Sequence, residues 1–269
     1  MRAVIVGPGV MGETLAGTFR QRYPAEELIL WGPASERRAA LARRFNAAEA
    51  SSSQEVGTAD WVFLALKPQK APTVLPALRP ILRPDTLVIS VMAGISSSYL
   101  AKVLGHARLV RSMPNTPGRI GAGITVWISR GLSSEERLTV QEFFSGLGHA
   151  IEVSEESYLD MATALSGTGP AYVFLFMEAL VEAGVHMGLP RQLAEDLVVG
   201  TVAGAVAYYR QAGRGAALLR QEVTSPGGTT AEALYHLEKA GFRSALSEAV
   251  WAAYRRALAL HPPLPPSET

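Results

Sequence analysis

The sequence predicts an α/β chain, with a doubly wound sheet in the first half and an all-α second half. Three observations carry this. A glycine-rich turn stands between a strand pattern and a helix pattern at the extreme N-terminus. Short apolar strand patterns then recur, separated by segments long enough for crossover helices. Beyond about Ser154 the strand patterns stop and helical periodicity takes over, which sets domains of residues 1–154 and 155–269.

Residues 3–6 form the first strand, followed by Gly7-Pro8-Gly9-Val10-Met11-Gly12 and a helix through Leu15, Ala16 and Phe19. This is G-x-G-x-x-G with a strand before it and a helix after, the setting in which the motif binds a dinucleotide. Gly7 makes the tight turn, Gly9 lets a pyrophosphate approach the backbone, and Gly12 lets helix and strand pack closely. The alternative is a purely structural glycine turn. The expected domain is of Rossmann type.

A second strand reads Leu28-Ile29-Leu30-Trp31 and continues Gly32-Pro33-Ala34-Ser35-Glu36-Arg37-Arg38. Enzymes that hold NAD place an acid at the end of this strand, for the ribose 2′-hydroxyl. Here a hydroxyl and two arginines follow instead, which favours the 2′-phosphate of NADPH, with NADH as the alternative. Glu36 reads either as a first-turn helix acid or as a ribose ligand, and Arg37 and Arg38 equally as solvated helix residues.

Further strand patterns run over residues 61–66, 86–90, 108–112, 124–128 and 150–153, with a helix from Ser134 to Leu147. Functional residues of a parallel sheet sit past the carboxyl ends of its strands. Those positions are Lys67-Pro68, Met92-Ala93-Gly94, and Met113 to Pro117 with Asn115 among them. Lys67 reads as a general acid, a phosphate contact or an exposed strand-end lysine.

The chain has 269 residues, 48% of them hydrophobic and 18% charged, enough for two domains with a sizeable core. A net charge of +1 gives no footprint for nucleic acid or an anionic membrane. The absence of cysteine excludes disulfides, thiolate catalysis and cysteine metal sites. Acid and histidine spacings suggest no metal cage. The apolar start is too short for a signal peptide, and the uncharged stretch Met161–Met177 is interrupted by Ser166-Gly167-Thr168-Gly169-Pro170. No membrane span and a cytoplasmic location are therefore expected.

The second half reads as helices over residues 155–165, 171–187, 191–211 and 242–260, ending in a Pro-rich tail. The segment Val198–Ala207 is apolar almost all round, which points to burial of one face against a second subunit. Before the pattern AEALYHLEKAG stands Val223-Thr224-Ser225-Pro226-Gly227-Gly228-Thr229-Thr230. Its glycines allow a turn, and Thr229 or Thr230 offers the hydroxyl expected at a helix N-cap. Such a helix start suits a small carboxylate, so this loop is the candidate substrate site. The five histidines are scattered and form no triad. A nicotinamide enzyme manages without such catalysts when its acceptor is already electrophilic, as a protonated imine is.

With both halves read, the chain resembles the pyrroline-5-carboxylate reductases. The resemblance rests on Gly7–Gly12, Ala65-Leu66-Lys67-Pro68, Val91–Ser96, Arg111–Pro117, Leu165–Tyr172 and Val223–Thr230. It implies an α/β N-terminal Rossmann-type sheet followed by an all-α C-terminal dimerisation domain. The implied reaction is NADPH-dependent reduction of a cyclic imino acid to L-proline. It implies that Thr229 and Thr230 lie at the substrate, with Thr230 bonded to the ring nitrogen and Val223, Ser225 and Gly228 shaping the loop. On the cofactor side it implies Val6 to Met11, Ala65 to Pro68 and Met92 to Gly94, with Glu156 a weaker candidate. Ser52 stands where the family often places an asparagine near the adenine ribose, and Glu222 where some relatives have asparagine. The resemblance further implies dimers that build decamers, each active site taking its cofactor from one subunit and its substrate loop from the other. The competing readings are a 3-hydroxyacid dehydrogenase and a cofactor-sensing module without turnover. The first needs a lysine in the helical half, where only Lys239 is found.

Overall fold

The computed structural model describes residues 1–33 and 35–263; Ala34 and the last six residues of the Pro-rich tail lie outside the described residues. Two compact units are present. One comprises Met1–Thr168 together with the chain from Ala253 onward, and the other comprises Gly169–Ala252.

The first unit carries an eight-stranded sheet. In chain order its elements are β1 (Arg2–Val6), α1 (Val10–Arg22), β2 (Glu27–Trp31), α2 (Glu36–Phe45), β3 (Ala48–Glu49), β4 (Trp61–Leu64), α3 (Ala71–Leu78), β5 (Leu87–Ser90) and α4 (Ser97–Leu104). Then come β6 (Leu109–Pro114), β7 (Gly123–Arg130), α5 (Ser134–Ser145), β8 (Gly148–Glu152) and α6 (Ser157–Ala162). The strand order is β3-β2-β1-β4-β5-β6-β7-β8, the doubly wound arrangement, with its switch point between β1 and β4. The central strands are continuous apolar runs because both of their faces are covered. On one face Leu15, Phe19, Phe63, Phe143 and Phe144 pack together, and on the other Leu75, Leu78, Leu100 and Leu104.

One pairing departs from an all-parallel sheet: β7 runs antiparallel to β6. Only residues 115–122 connect the two strands, and a parallel crossover needs a dozen or more. The unit boundary also differs from 154/155. Helix α6 packs on β6 and β7, tied by the buried pair Arg111–Asp160, so the first unit runs on to Thr168.

The second unit holds α7 (Gly169–His186), α8 (Arg191–Ala212), α9 (Ala216–Glu222), α10 (Thr229–Lys239) and most of α11 (Phe242–Leu258). Its buried apolar cluster is small, built on Val181, Ala194 and Val198. The expected break at residues 166–170 is not one. A π-turn at Thr163–Gly167 carries the helix through, and Pro170 falls in the first turn of α7, where a missing N–H is tolerated. Ser157–His186 is thus one helical run of 30 residues with mean hydropathy 1.3, long and apolar enough to cross a membrane by length and composition.

Candidate active site

The glycine turn after β1 is shaped by sterics. Gly7 has φ +95°, and its N–H donates to Trp31 O at 2.9 Å. A Cβ added at Gly7 would lie 2.8 Å from Ala65 O, and one at Gly12 2.3 Å from Gly7 O. At Gly9 an added Cβ meets nothing within 4 Å. Gly7 and Gly12 are therefore glycines because the protein fills the space, and Gly9 faces space that the protein leaves open. Gly9 is also the N-cap of α1 and has no side chain to bond its first-turn amides. The amides of Val10, Met11 and Gly12 begin a 13-residue helix and are left for a ligand. These residues fit a dinucleotide's pyrophosphate.

Neighbouring strand ends frame this turn. Val6 closes β1 and its carbonyl accepts from Ala65 N at 2.9 Å. Ala65 and Leu66 are half-buried, Lys67 is exposed, and Pro68 opens a single 3-10 turn. Past β5, Met92 is buried and donates its N–H to Ser90 Oγ at 3.3 Å, followed by Ala93. Gly94 has φ +72°, and an added Cβ would lie 2.5 Å from Leu260 Cβ, so Leu260 packs on this loop. Asn115 is committed to the backbone at both ends of its amide. Its Nδ2 donates to Ser166 O at 3.1 Å and its Oδ1 accepts from Ile124 N at 2.9 Å. Ser52 is exposed beside Glu55, whose carboxyl the amide and hydroxyl of Ser51 hold below the usual carboxylate range.

Beyond β2, Ser35 caps α2 by accepting from Arg38 N at 3.2 Å. Exposed Glu36 is the first residue of that helix. Arg38 pairs with Glu49 at 2.8 Å and also bonds Gly32 O. Arg37 reaches the other way, to Pro8 O at 3.3 Å and Glu13 at 2.8 Å.

The threonine loop belongs to the second unit. Gly228, with φ −82° and ψ 166°, is the N-cap of α10, rather than either threonine. Its N–H donates to Ser225 O at 3.1 Å across a turn that holds Gly227 at φ +70°. That turn ends one residue earlier than a threonine cap would need. Thr229 and Thr230 are consequently the first two helical residues, and Glu232 N donates to Gly228 O at 3.2 Å. The amides of Thr229, Thr230 and Ala231 are the unpaired first-turn donors, with two hydroxyls beside them. Val223, Ser225 and Thr229 are exposed, and Thr230 is half-buried. Glu222 pairs with Arg214.

Comparison with known proteins gives matches over both halves of the chain. Residues 156–260 match the family model described as pyrroline-5-carboxylate reductase dimerisation, and residues 2–94 match that of NADP oxidoreductase, coenzyme F420-dependent. The pyrroline-5-carboxylate reductase of Synechocystis is 39% identical, covering 94% of this chain and 95% of its own. That of Escherichia coli is 37% identical, covering 91% and 93%. The crystal structure of Plasmodium falciparum pyrroline carboxylate reductase with NADP bound superposes with a TM-score of 0.88 at 32% identity, covering 97% and 98%.

The chain belongs to the pyrroline-5-carboxylate reductase family.

Within this member of the pyrroline-5-carboxylate reductases, two charged clusters escape sequence reasoning. Arg111 is buried in the middle of β6; its Nη1 donates to Glu156 at 2.9 Å and its Nη2 to Asp160 at 2.6 Å. Glu156, the weaker cofactor candidate, also accepts from Ser97 N at 2.6 Å, and His261 lies 3.2 Å from Asp160. The available signal was an arginine inside an apolar strand, which requires an acid from elsewhere. The second cluster surrounds Glu13. Among the described residues no group of three or more metal-ligating side chains exists.

Proposed function

We propose that the chain reduces 1-pyrroline-5-carboxylate to L-proline with NADPH, the last step of proline biosynthesis. Family membership over both units is the observation that carries this reading. A nicotinamide held by the glycine loop would supply the hydride that the imine carbon of the protonated substrate accepts. The C=N π pair becomes the lone pair of the ring amine, so the product is neutral at nitrogen before it takes up a proton.

The chain's own residues bind and orient. Val6, Gly7, Pro8, Gly9, Val10, Met11 and Gly12 cradle the pyrophosphate. Ala65, Leu66, Lys67 and Pro68, Met92, Ala93 and Gly94, and Asn115 line the cofactor. Ser52 lies toward the adenine ribose, and Ser35 with Arg37 toward the 2′-phosphate. NADH fits the same cradle without that last contact. The helix start at Thr229 and Thr230 binds the substrate carboxylate, on a loop shaped by Val223, Ser225 and Gly228. The Thr230 hydroxyl bonds the ring nitrogen, and Lys67 is the second catalytic residue of this reading, as a general acid. Positioning and exclusion of water supply most of the rate.

The chain is a homo-oligomer. In this reading, as the family resemblance implies, its dimers build a decamer, with the substrate loop of one subunit completing the cofactor site of another. The one apolar helical run that satisfies the length of a membrane span is in this reading covered by a second copy, and the enzyme is cytoplasmic, without nucleic-acid or membrane partners.

The test mixes purified protein, pyrroline-5-carboxylate and NADPH, and follows absorbance of the reduced cofactor. Turnover of a 3-hydroxyacid in its place would reject the proposal. The Thr230→Ala variant is expected to keep NADPH binding and lose roughly 10- to 150-fold in kcat/KM, the loss of one hydrogen bond to a charged group. An unchanged rate removes Thr230 from the mechanism.

A further inference from the structure

Glu13 lies in the first turn of α1, immediately after the glycine loop, and its side chain is only 11% exposed. Three arginines from distant parts of the chain converge on it. Arg37 Nη2 donates to Oε2 at 2.8 Å, while Arg44 Nη1 and Arg119 Nη2 donate to Oε1 at 2.8 and 3.1 Å. One carboxylate faces three guanidinium groups, so the cluster carries a surplus of two positive charges beside the place where the dinucleotide's phosphates fit.

The three arginines are not equivalent. Arg37 alone also touches the glycine loop, donating Nε to Pro8 O at 3.3 Å. Its guanidinium is therefore held at two points, between the start of α2 and the turn that cradles the pyrophosphate. Arg38, next in sequence, is tied to Glu49 and Gly32 O and faces β2 and β3. A free arginine loses much rotamer freedom on binding a phosphate, and one already fixed binds at lower cost. A lone carboxylate here would repel phosphate; Arg44 and Arg119 offset that charge while holding Glu13 in position.

We propose that Glu13 is a positioning residue for cofactor choice: it fixes Arg37 over the glycine loop to receive the 2′-phosphate of NADPH, with Arg44 and Arg119 neutralising its own charge. This rests on the reading of Arg37 as a 2′-phosphate contact, and the experiment separates the two.

Steady-state kinetics with NADPH and with NADH are compared for the intact enzyme, Glu13→Gln, Arg37→Ala and the double variant. Arg37→Ala is expected to lower the NADPH-to-NADH ratio of kcat/KM by about tenfold or more, through KM for NADPH. Glu13→Gln lowers the same ratio about three- to tenfold, again through KM rather than kcat, because Arg37 remains but is no longer fixed. The double variant is no worse than Arg37→Ala alone, since Glu13 acts only through that side chain. Glu13→Asp keeps the charge and withdraws it by one methylene; it gives an intermediate loss and serves if Glu13→Gln does not fold. If Arg37→Ala shifts the ratio and neither Glu13 variant does, or if the two losses add, Glu13 has no positioning role. A rise in NADPH affinity in Glu13→Gln also overturns the proposal, since Glu13 would then be competing for Arg37. If Arg37→Ala leaves the ratio intact, the 2′-phosphate reading itself fails.

Discussion

The helical unit is the more apolar of the two in sequence, yet the two units make opposite use of their apolar residues. In the sheet unit Ile5, Phe19, Phe63, Phe143 and Phe144 are all 0% exposed, and helices cover both faces of the sheet. In the helical unit Val173, Phe174, Leu175 and Phe176 stand in succession on α7, at 45, 62, 67 and 43% exposure. Consecutive helix positions point about 100° apart, so these four residues look out around more than half of the helix. A single amphipathic stripe would leave one side covered. Apolar surface exposed on this scale marks an association site, and burying each such side chain contributes about 1.5–3 kcal/mol. The sheet unit completes its core within one chain, whereas the helical unit leaves a broad apolar face uncovered within one chain.

The sharpest break of that comparison is to charge the exposed helix. Phe174→Glu with Leu175→Glu is expected to abolish assembly outright, giving a monomer by light scattering at micromolar concentration. The glycine loop belongs to the other unit, so NADPH binding to that monomer survives while turnover is lost. An oligomer that persists would mean that α7 is covered in some other way. Loss of NADPH binding along with assembly would mean that the two units are not independent in this respect.

The next largest effect belongs to the sheet unit. Arg111→Leu leaves Asp160, 4% exposed, without its guanidinium partner. Removing one member of a buried pair costs about 3–5 kcal/mol, because the remaining carboxylate is poorly solvated and has the His261 ring beside it in place of a guanidinium. The urea midpoint should fall at fixed protein concentration. Arg111→Lys should not restore it, since one ammonium cannot serve both Glu156 and Asp160 as a planar fork does. A midpoint unchanged in Arg111→Leu would show that the pair is dispensable to the sheet unit.

What the sequence made legible follows from how local each feature is. Seven of the eight strands announce themselves as apolar runs bounded by turn residues, and the glycine loop is read from six adjacent positions. The strand β3 is invisible because Ala48-Glu49 carries no pattern, and α9 because seven residues between glycine-rich turns give too few repeats. The antiparallel direction of β7 is written only in the length of its connection. At the substrate loop both glycine and threonine are acceptable N-caps, and the choice of Gly228 is made by the turn behind it. The clusters around Glu13 and Arg111 bring together residues 24 to 106 positions apart. No local pattern encodes those contacts; the sheet topology makes them.

The smallest expected effect separates two glycines that look alike in the motif. Gly12→Ala puts a methyl group 2.3 Å from Gly7 O, closer than any Cβ approaches a carbonyl, so α1 must move away from β1. Overpacking of this kind costs about 1–3 kcal/mol, seen as a lower urea midpoint, and NADPH affinity falls with it because the helix start has shifted. Gly9→Ala meets no atom within 4 Å, and its φ of −81° is one that alanine adopts freely. Its stability should change by less than about 1 kcal/mol, the difference between glycine and alanine at an N-cap. NADPH affinity should nevertheless fall, because the new methyl group occupies the space that the phosphates need. The two variants thus reach a similar binding defect by different routes, one through the protein's own packing and one through the ligand's place. If Gly9→Ala binds NADPH as the unaltered chain does, the open space beside Gly9 is not where the pyrophosphate lies.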